Sequence, residues 1–194
     1  MTQLQKPRPA TARWESSALR KTGRWFRKRW AAALALVVGA LVWGVDVAFV
    51  RDLLLILPLV YAITAAIGQR RASWPVLIAS FLLLLGATTQ PWVSVDAVII
   101  GVAAAALLTG TALGRDRRLL ALQGLGVLLF GGLAVLAAEA APEWARWLVA
   151  GGWALHALWD LAHLRSRRVV VASYAEWCAV VDLCVAVMLV VYGM

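Results

Sequence analysis

The fold class the sequence predicts is an all-helical, polytopic transmembrane bundle of about seven spans, and three observations predict it. Of 194 residues, 63% are hydrophobic and only 15% charged, with a mean hydropathy of +0.81; an ordinary soluble domain is roughly 45–50% apolar and about 25% charged. A water-soluble fold of this length has too little interior to hide so much apolar surface, so a bilayer is the natural solvent. The apolar residues gather into seven stretches close to spanning length, and cations cluster in every second gap between them. This composition excludes a secreted soluble domain, a disulfide scaffold and an intrinsically disordered chain.

Residues 1–30 form a basic N-terminal tail distinct from a transmembrane domain over 31–194. The tail holds nine of the nineteen Lys and Arg residues and one acid, Glu15. Its first ten residues contain two prolines and no periodic pattern, which predicts disorder. From Ala12 to Trp30, Trp14, Leu19, Trp25, Phe26 and Trp30 are interleaved with cations. Such a mixture suits a helix lying among anionic headgroups, where each cation contributes about 1 kcal/mol; a solvated positive flank with no defined helix is the alternative. The expected partner is therefore the lipid bilayer and its anionic headgroups, and no nucleic acid, because an apolar segment follows at once. The tail is too long and the next apolar run too close to spanning length for a cleaved leader.

The seven segments run approximately Ala31–Phe49, Leu53–Gly68, Trp74–Thr89, Val95–Gly114, Leu119–Ala138, Trp144–Leu164 and Val170–Tyr192. A spanning helix needs about 17–25 apolar residues. The second and third segments are short, and only Val50–Asp52 separates the first two, so six spans are the alternative if one of them is re-entrant. Pro58 inside the second segment is tolerated in a membrane helix and predicts a kink. Gly110 and Gly114, Gly124, Gly131-Gly132 and Gly151-Gly152 read as positions of close helix packing.

Charge placement tests the count independently. Arg70-Arg71, Arg115 with Arg117-Arg118, and Arg165 with Arg167-Arg168 occupy alternate connections. Together with the tail they place 17 of the 19 cations on one side, leaving only Arg51 and Arg146 on the other. The positive-inside rule then predicts a multi-pass protein of the cell inner (plasma) membrane, N-terminus cytoplasmic and C-terminus external. Trp30 and Trp74 at inner ends, and Trp92, Trp144 and Trp147 at outer ends, fit an aromatic belt. Asp52, Asp96, Glu139 and Glu143 fall at or beyond the outer helix ends, where water solvates them. Asp46 lies about a turn inside the first segment and is expected to snorkel to the interface.

The residues that fit none of these patterns are in the last hairpin. The sixth segment carries His156, Asp160 and His163; at about 100° per residue Asp160 lies roughly 40° from His156, and His163 about 20° on the other side. In the seventh, Tyr174, Cys178 and Asp182 follow one another at i, i+4 spacing on one face. Folding the hairpin about Arg167 puts His156 level with Cys178 and Asp182 one turn deeper, opposite Gly151-Gly152. A polar seam is thus expected to run from the cytoplasmic surface towards mid-membrane, with His156 as the partner of Asp182. An acid at the centre of a spanning helix costs roughly 2.5–3.5 kcal/mol, and such residues pair or mark a functional path.

Three readings of the seam are open. One is a site reached from the cytoplasmic side, binding a divalent metal (zinc or iron) through His156, Asp160, His163, Cys178 and Asp182, or performing acid/base chemistry with His156, Asp160 and Asp182, on a lipid-like or small apolar substrate. A second is a small proton-coupled transporter with Asp182 and His156 as the coupling pair. The third is an interhelical clasp in a structural membrane protein. Cys178 and Cys184 lie about 120° apart on one helix, which excludes a disulfide between them. No phosphate loop, serine nucleophile elbow, HExxH or paired CxxC occurs in the sequence.

The run Leu155-His156-Ala157-Leu158-Trp159-Asp160-Leu161-Ala162-His163, the basic turn after it, and Cys178-x3-Asp182-x3-Ala186 resemble a family of small bacterial multi-span membrane proteins of unknown function. In this chain Leu164 stands where that pattern has a second adjacent His. The resemblance covers under a quarter of the chain and implies no activity; it implies that His156, Trp159, Asp160, His163, Cys178 and Asp182 act as one unit.

Overall fold

The computed structural model describes residues 29–42 and 44–192. The expected disorder of the first ten residues and most of the interfacial tail segment lie outside the described residues. Among those described there are seven α-helices, one short 3-10 turn and no strand. The helices are α1 (Arg29–Leu41), α2 (Val47–Ile67), α3 (Ser73–Thr88), α4 (Val95–Ala112), α5 (Arg117–Glu139), α6 (Pro142–Ser166) and α7 (Ala172–Tyr192). Five of them, α2, α3 taken together with the 3-10 turn before it (Arg70–Thr88), α4, α5 and α7, are long and apolar enough to cross a membrane. Helix α1 is short, and α6 is diluted by its own polar residues and four tryptophans.

The connections follow from local chemistry. Asp46 caps α2, its carboxylate accepting from the Ala48 N–H at 3.2 Å. Gly44, at φ +77°, supplies the left-handed turn just before it. This corrects the sequence expectation that the first break falls at Val50–Asp52: the break lies between Leu41 and Val47, and Arg51 and Asp52 are in the first turns of α2. An unbroken apolar pattern hid the boundary, whereas the glycine and the capping acid set it. Asp46 is accordingly a helix cap and not a snorkelling side chain within the first span. At the other end of α2, Gly68 (φ +72°) closes the helix with its N–H on the Thr64 carbonyl at 3.0 Å. Ser94 and Asp116 cap α4 and α5 in the same way as Asp46 caps α2.

Charges separate to the two ends of the bundle. At one end the three arginine-bearing connections touch: Arg70 Nη1 donates to the Arg167 carbonyl at 2.5 Å, and Arg168 pairs with Asp116 at 3.1 Å. Arg115 donates to the carbonyls of Ala66 and Ile67 at 3.1 and 2.8 Å, satisfying groups that the C-terminus of α2 leaves without helical partners. Glu176 joins this end through Arg29, 2.5 Å away. At the far end Arg51 spans both Asp96 oxygens at 3.2 Å and also pairs with Asp52. This meeting of alternate connections is what the charge pattern required.

Helix α2 is the axis of the molecule. Of its apolar window 61% is buried, against 17% for α4, which turns most of its surface outward. It packs against α3, α4, α5 and α6, while α6 and α7 run against each other along their length. Small residues allow the closest approaches: a Cβ at Gly110 would lie 3.0 Å from the Ala66 backbone, and one at Gly152 only 2.5 Å from Leu54 Cδ2. The space at Gly152, expected to accommodate Asp182, is filled instead by Leu54 of α2.

Candidate functional site

Regular helix geometry assembles the site from three elements. On α6 the His156, Asp160, His163 stripe faces inward, and all three are buried. On α7 the i, i+4 series Tyr174, Cys178, Asp182 also faces inward, each at 0% exposure. His156 Nδ1 lies 2.8 Å from Asp182 Oδ2 and 3.3 Å from Asp160 Oδ2. The expected His156–Asp182 pairing is present, but the register differs from a fold about Arg167. The midpoint of residues 156 and 182 is Val169, because the chain uses the whole stretch from 167 to 171 to turn.

The third element is α2, which contributes Tyr61. Its hydroxyl donates to Asp160 Oδ1 at 2.5 Å, so Asp160 is held from one side by a phenol and approached from the other by an imidazole. The Phe130 ring of α5 meets the edge of His156 at a 4.7 Å centroid distance. Sequence reasoning missed both contributors. The available signal was that Tyr61 is a lone phenol within a long apolar run, and a buried phenol hydroxyl needs a partner. Tyr61→Phe is expected to leave Asp160 Oδ1 unpaired and to cost about 1–2 kcal/mol. The thermal midpoint of the detergent-purified protein measures this, and an unchanged midpoint would refute the contact.

His163 and Cys178 stand apart from the convergence. His163 lies one helical step nearer the basic end, 4.6 Å from the Tyr61 ring and 5.1 Å from that of Trp159. Its Nδ1 is 3.0 Å from the Trp159 carbonyl and its Nε2 3.4 Å from Gln123 Nε2. A carbonyl can only accept and an amide nitrogen only donates, so this network describes a neutral ring with its proton on Nδ1. Cys178 is fully buried, one turn before Asp182 on α7. The ligand-capable groups whose atoms all fall within 4.8 Å of one another are His156, Asp160 and Asp182.

Within this triad several polar atoms lack hydrogen bonds to described residues: His156 Nε2, Asp160 Oδ2 and Asp182 Oδ1. Two carboxylates around one imidazole also leave the cluster negative unless protons or a cation balance it, and a net charge in a low-dielectric interior is costly. A divalent ion with a neutral imidazole and two carboxylates sums to zero. The ligand-capable atoms lie within 4.8 Å of one another, with His156 Nδ1 and Asp182 Oδ2 at hydrogen-bond distance, 2.8 Å. The donor set therefore fits a cation by its chemistry.

Towards the basic end the cluster is covered by Tyr61, Trp159, His163 and Gln123. On its other side a cavity of ≈240 Å³ reaches Asp182, walled by apolar residues of α1, α2, α3, α6 and α7. The sequence placed the opening at the basic end because only the α6–α7 hairpin was considered, without the α2 side chain that fills that path. Comparison with protein-family models, curated proteins and solved structures gives no match. The likeness of the last hairpin to a bacterial membrane-protein family therefore rests on the quoted residues alone, and the geometry carries the functional argument.

Proposed function

We propose that this is a multi-pass protein of the cell inner membrane, with seven spans, a cytoplasmic N-terminus and an external C-terminus. In this reading His156, Asp160 and Asp182 hold one divalent cation, zinc or iron, and the centre performs metal-assisted or acid/base chemistry on a lipid-like substrate. The observation that carries the reading is the convergence of three buried ligand groups, each retaining an atom without a hydrogen bond. A cluster serving only to join helices would gain by satisfying those atoms. His156 and the two carboxylates would be the ligands, Tyr61 would orient Asp160, and Phe130 would restrict the imidazole. A bound cation would supply a Lewis acid for the substrate or a more acidic water. The arginine-rich connections at one end support the assigned orientation.

Metal analysis of the detergent-purified protein is expected to show about one equivalent of zinc or iron, lost in the Asp160→Asn/Asp182→Asn variant with the helical spectrum retained. A metal-free parent whose His156→Ala variant is merely less stable would overturn the reading in favour of a clasp. A proton-coupled transporter is the second reading. It is supported by the series of close contacts Asp182–His156–Asp160–Tyr61, with a cavity at one end and His163 beyond the other. Proton flux into proteoliposomes that Asp182→Asn abolishes would favour it.

A further inference from the structure

A line of aromatic rings runs from the surface of the basic end to the triad. Trp30, at the start of α1, is 45% exposed. Its ring lies 5.5 Å from that of Trp74 on α3, and Trp74 lies 5.7 Å from Tyr174 on α7, centroid to centroid. Tyr174 is in turn 5.9 Å from Tyr61 on α2, whose hydroxyl donates to Asp160 Oδ1 at 2.5 Å. Four rings from four helices thus stand in series, with an exposed indole at one end and a buried carboxylate at the other. Indole and phenol are the aromatic side chains that give up an electron most readily. Transfer between rings falls steeply with distance, so rings in contact form the favoured path.

The members of the series differ in what they can do with charge. Removing an electron leaves a cation, which water stabilises at Trp30. In the interior that cation is costly unless a proton leaves with the electron. The Tyr174 hydroxyl and the indole N–H groups of Trp159 and Trp177 make no hydrogen bond to a described residue. Trp74 Nε1 donates to the Ser173 hydroxyl at 3.3 Å, a weak base. Of these rings, Tyr61 is the one whose acidic proton already points at a carboxylate.

We infer that Tyr61 is a redox-active tyrosine, joined through Tyr174, Trp74 and Trp30 to the surface of the basic end, and that its oxidation hands its proton to Asp160. The step breaks the Tyr61 O–H bond and forms an O–H bond on Asp160 Oδ1. The electron passes outward by way of Tyr174, Trp74 and Trp30 to a high-potential one-electron oxidant at the surface, of the class of peroxide-derived radicals. The oxidant gains one electron, Tyr61 becomes a neutral phenoxyl radical and Asp160 a neutral acid. The interior loses a carboxylate charge in the process, which a low dielectric favours. A one-electron donor at Trp30 reverses the step, and Asp160 returns the proton. The relay rests on ring contacts and one hydrogen bond, so it goes beyond the metal reading and does not depend on it. Its consequence is that an oxidising equivalent received at the surface comes to rest beside the triad.

The test uses the full-length protein in detergent, with a ruthenium polypyridyl sensitiser attached at an Arg71→Cys substitution on the exposed turn before α3. Cys184 is replaced by Ser, which leaves the buried Cys178 as the other thiol. A flash in the presence of a sacrificial electron acceptor makes a ruthenium(III) oxidant that stands in for the surface radical. Freeze-quench EPR is expected to show a tyrosyl radical, and the protein has three tyrosines to which it can be assigned. The signal should vanish in Tyr61→Phe and persist in Tyr192→Phe, at the far end of α7. Trp74→Phe keeps a ring in place but one that is hard to oxidise, and should also remove the signal with helix content unchanged. Asp160→Asn leaves the phenol facing an amide that cannot take its proton, and should move the radical to a tryptophan. A parent without a tyrosyl signal, a signal that survives Tyr61→Phe, or a Tyr61 radical undiminished by Trp74→Phe would each overturn the inference. A Tyr61 radical undiminished in Asp160→Asn would overturn the proton step.

Discussion

Replacing His156 by Ala is expected to destabilise the protein by about 3–5 kcal/mol, the usual loss when one partner of a buried ionic group is removed. The imidazole stands between two carboxylates, 2.8 and 3.3 Å from them. Without it Asp160 and Asp182 face each other across an unfilled space between packed helices, with no group between them. Equilibrium unfolding in mixed detergent measures the loss, with helix content as the control. A change below about 1 kcal/mol would refute the role of this ring in holding the two carboxylates together.

The same physics separates a clasp from a site. Replacing a whole buried ionic cluster by apolar residues of similar size is often neutral or stabilising. The triple variant His156→Leu/Asp160→Leu/Asp182→Leu is therefore expected to lie within about 1 kcal/mol of the parent and well above His156→Ala, while losing metal. Lipid tails provide no hydrophobic drive between helices, so the three leucines replace the polar contacts by packing alone. A triple variant as unstable as the single one would make the cluster a structural clasp. A stable triple variant that lacks the metal the parent retains would show that the cluster is not needed to join the helices.

The residues that carry this argument were visible in the sequence because they are exceptions in an oily chain. With two histidines in the whole protein, helical spacing suffices to put His156 and Asp160 on one face, and the i, i+4 series on α7 supplies Asp182. The alternation of basic connections likewise anticipated which loops share an end. Helix α2 was not visible in the same way. Its run from Leu53 to Val60 is apolar all round, as a central helix must be, so no period indicated which face Tyr61 would take or which neighbours it would meet. The first turn was hidden for a related reason: Gly44 and Asp46 are weak local signals inside a continuous apolar pattern, and hydropathy averages over them. A hairpin read in isolation gives the pairing of its own two helices, but not what covers them.

Gly152 and Gly151 offer the sharpest contrast within adjacent positions, since hydropathy treats them alike and packing does not. A Cβ at Gly152 would fall 2.5 Å from Leu54 Cδ2, whereas one at Gly151 meets nothing within 4 Å. Leu54 is fully buried, so an added Cβ forces its side chain to re-pack against the neighbouring helices or α2 and α6 to separate. Gly152→Ala is therefore expected to cost about 1–3 kcal/mol. Gly151→Ala should stay within about 0.5 kcal/mol or gain slightly from its higher helix propensity. Trimming the obstruction tests the cause: in Gly152→Ala/Leu54→Ala the two losses should be less than additive, with a coupling of about 0.5–3 kcal/mol. Additive losses would place the strain elsewhere. The consequence extends to the site, because Tyr61 lies two turns along α2 from Leu54 on the same packed helix. A displacement at the Gly152 crossing moves the phenol off Asp160, so Gly152→Ala should also weaken metal retention, while Gly151→Ala leaves it intact.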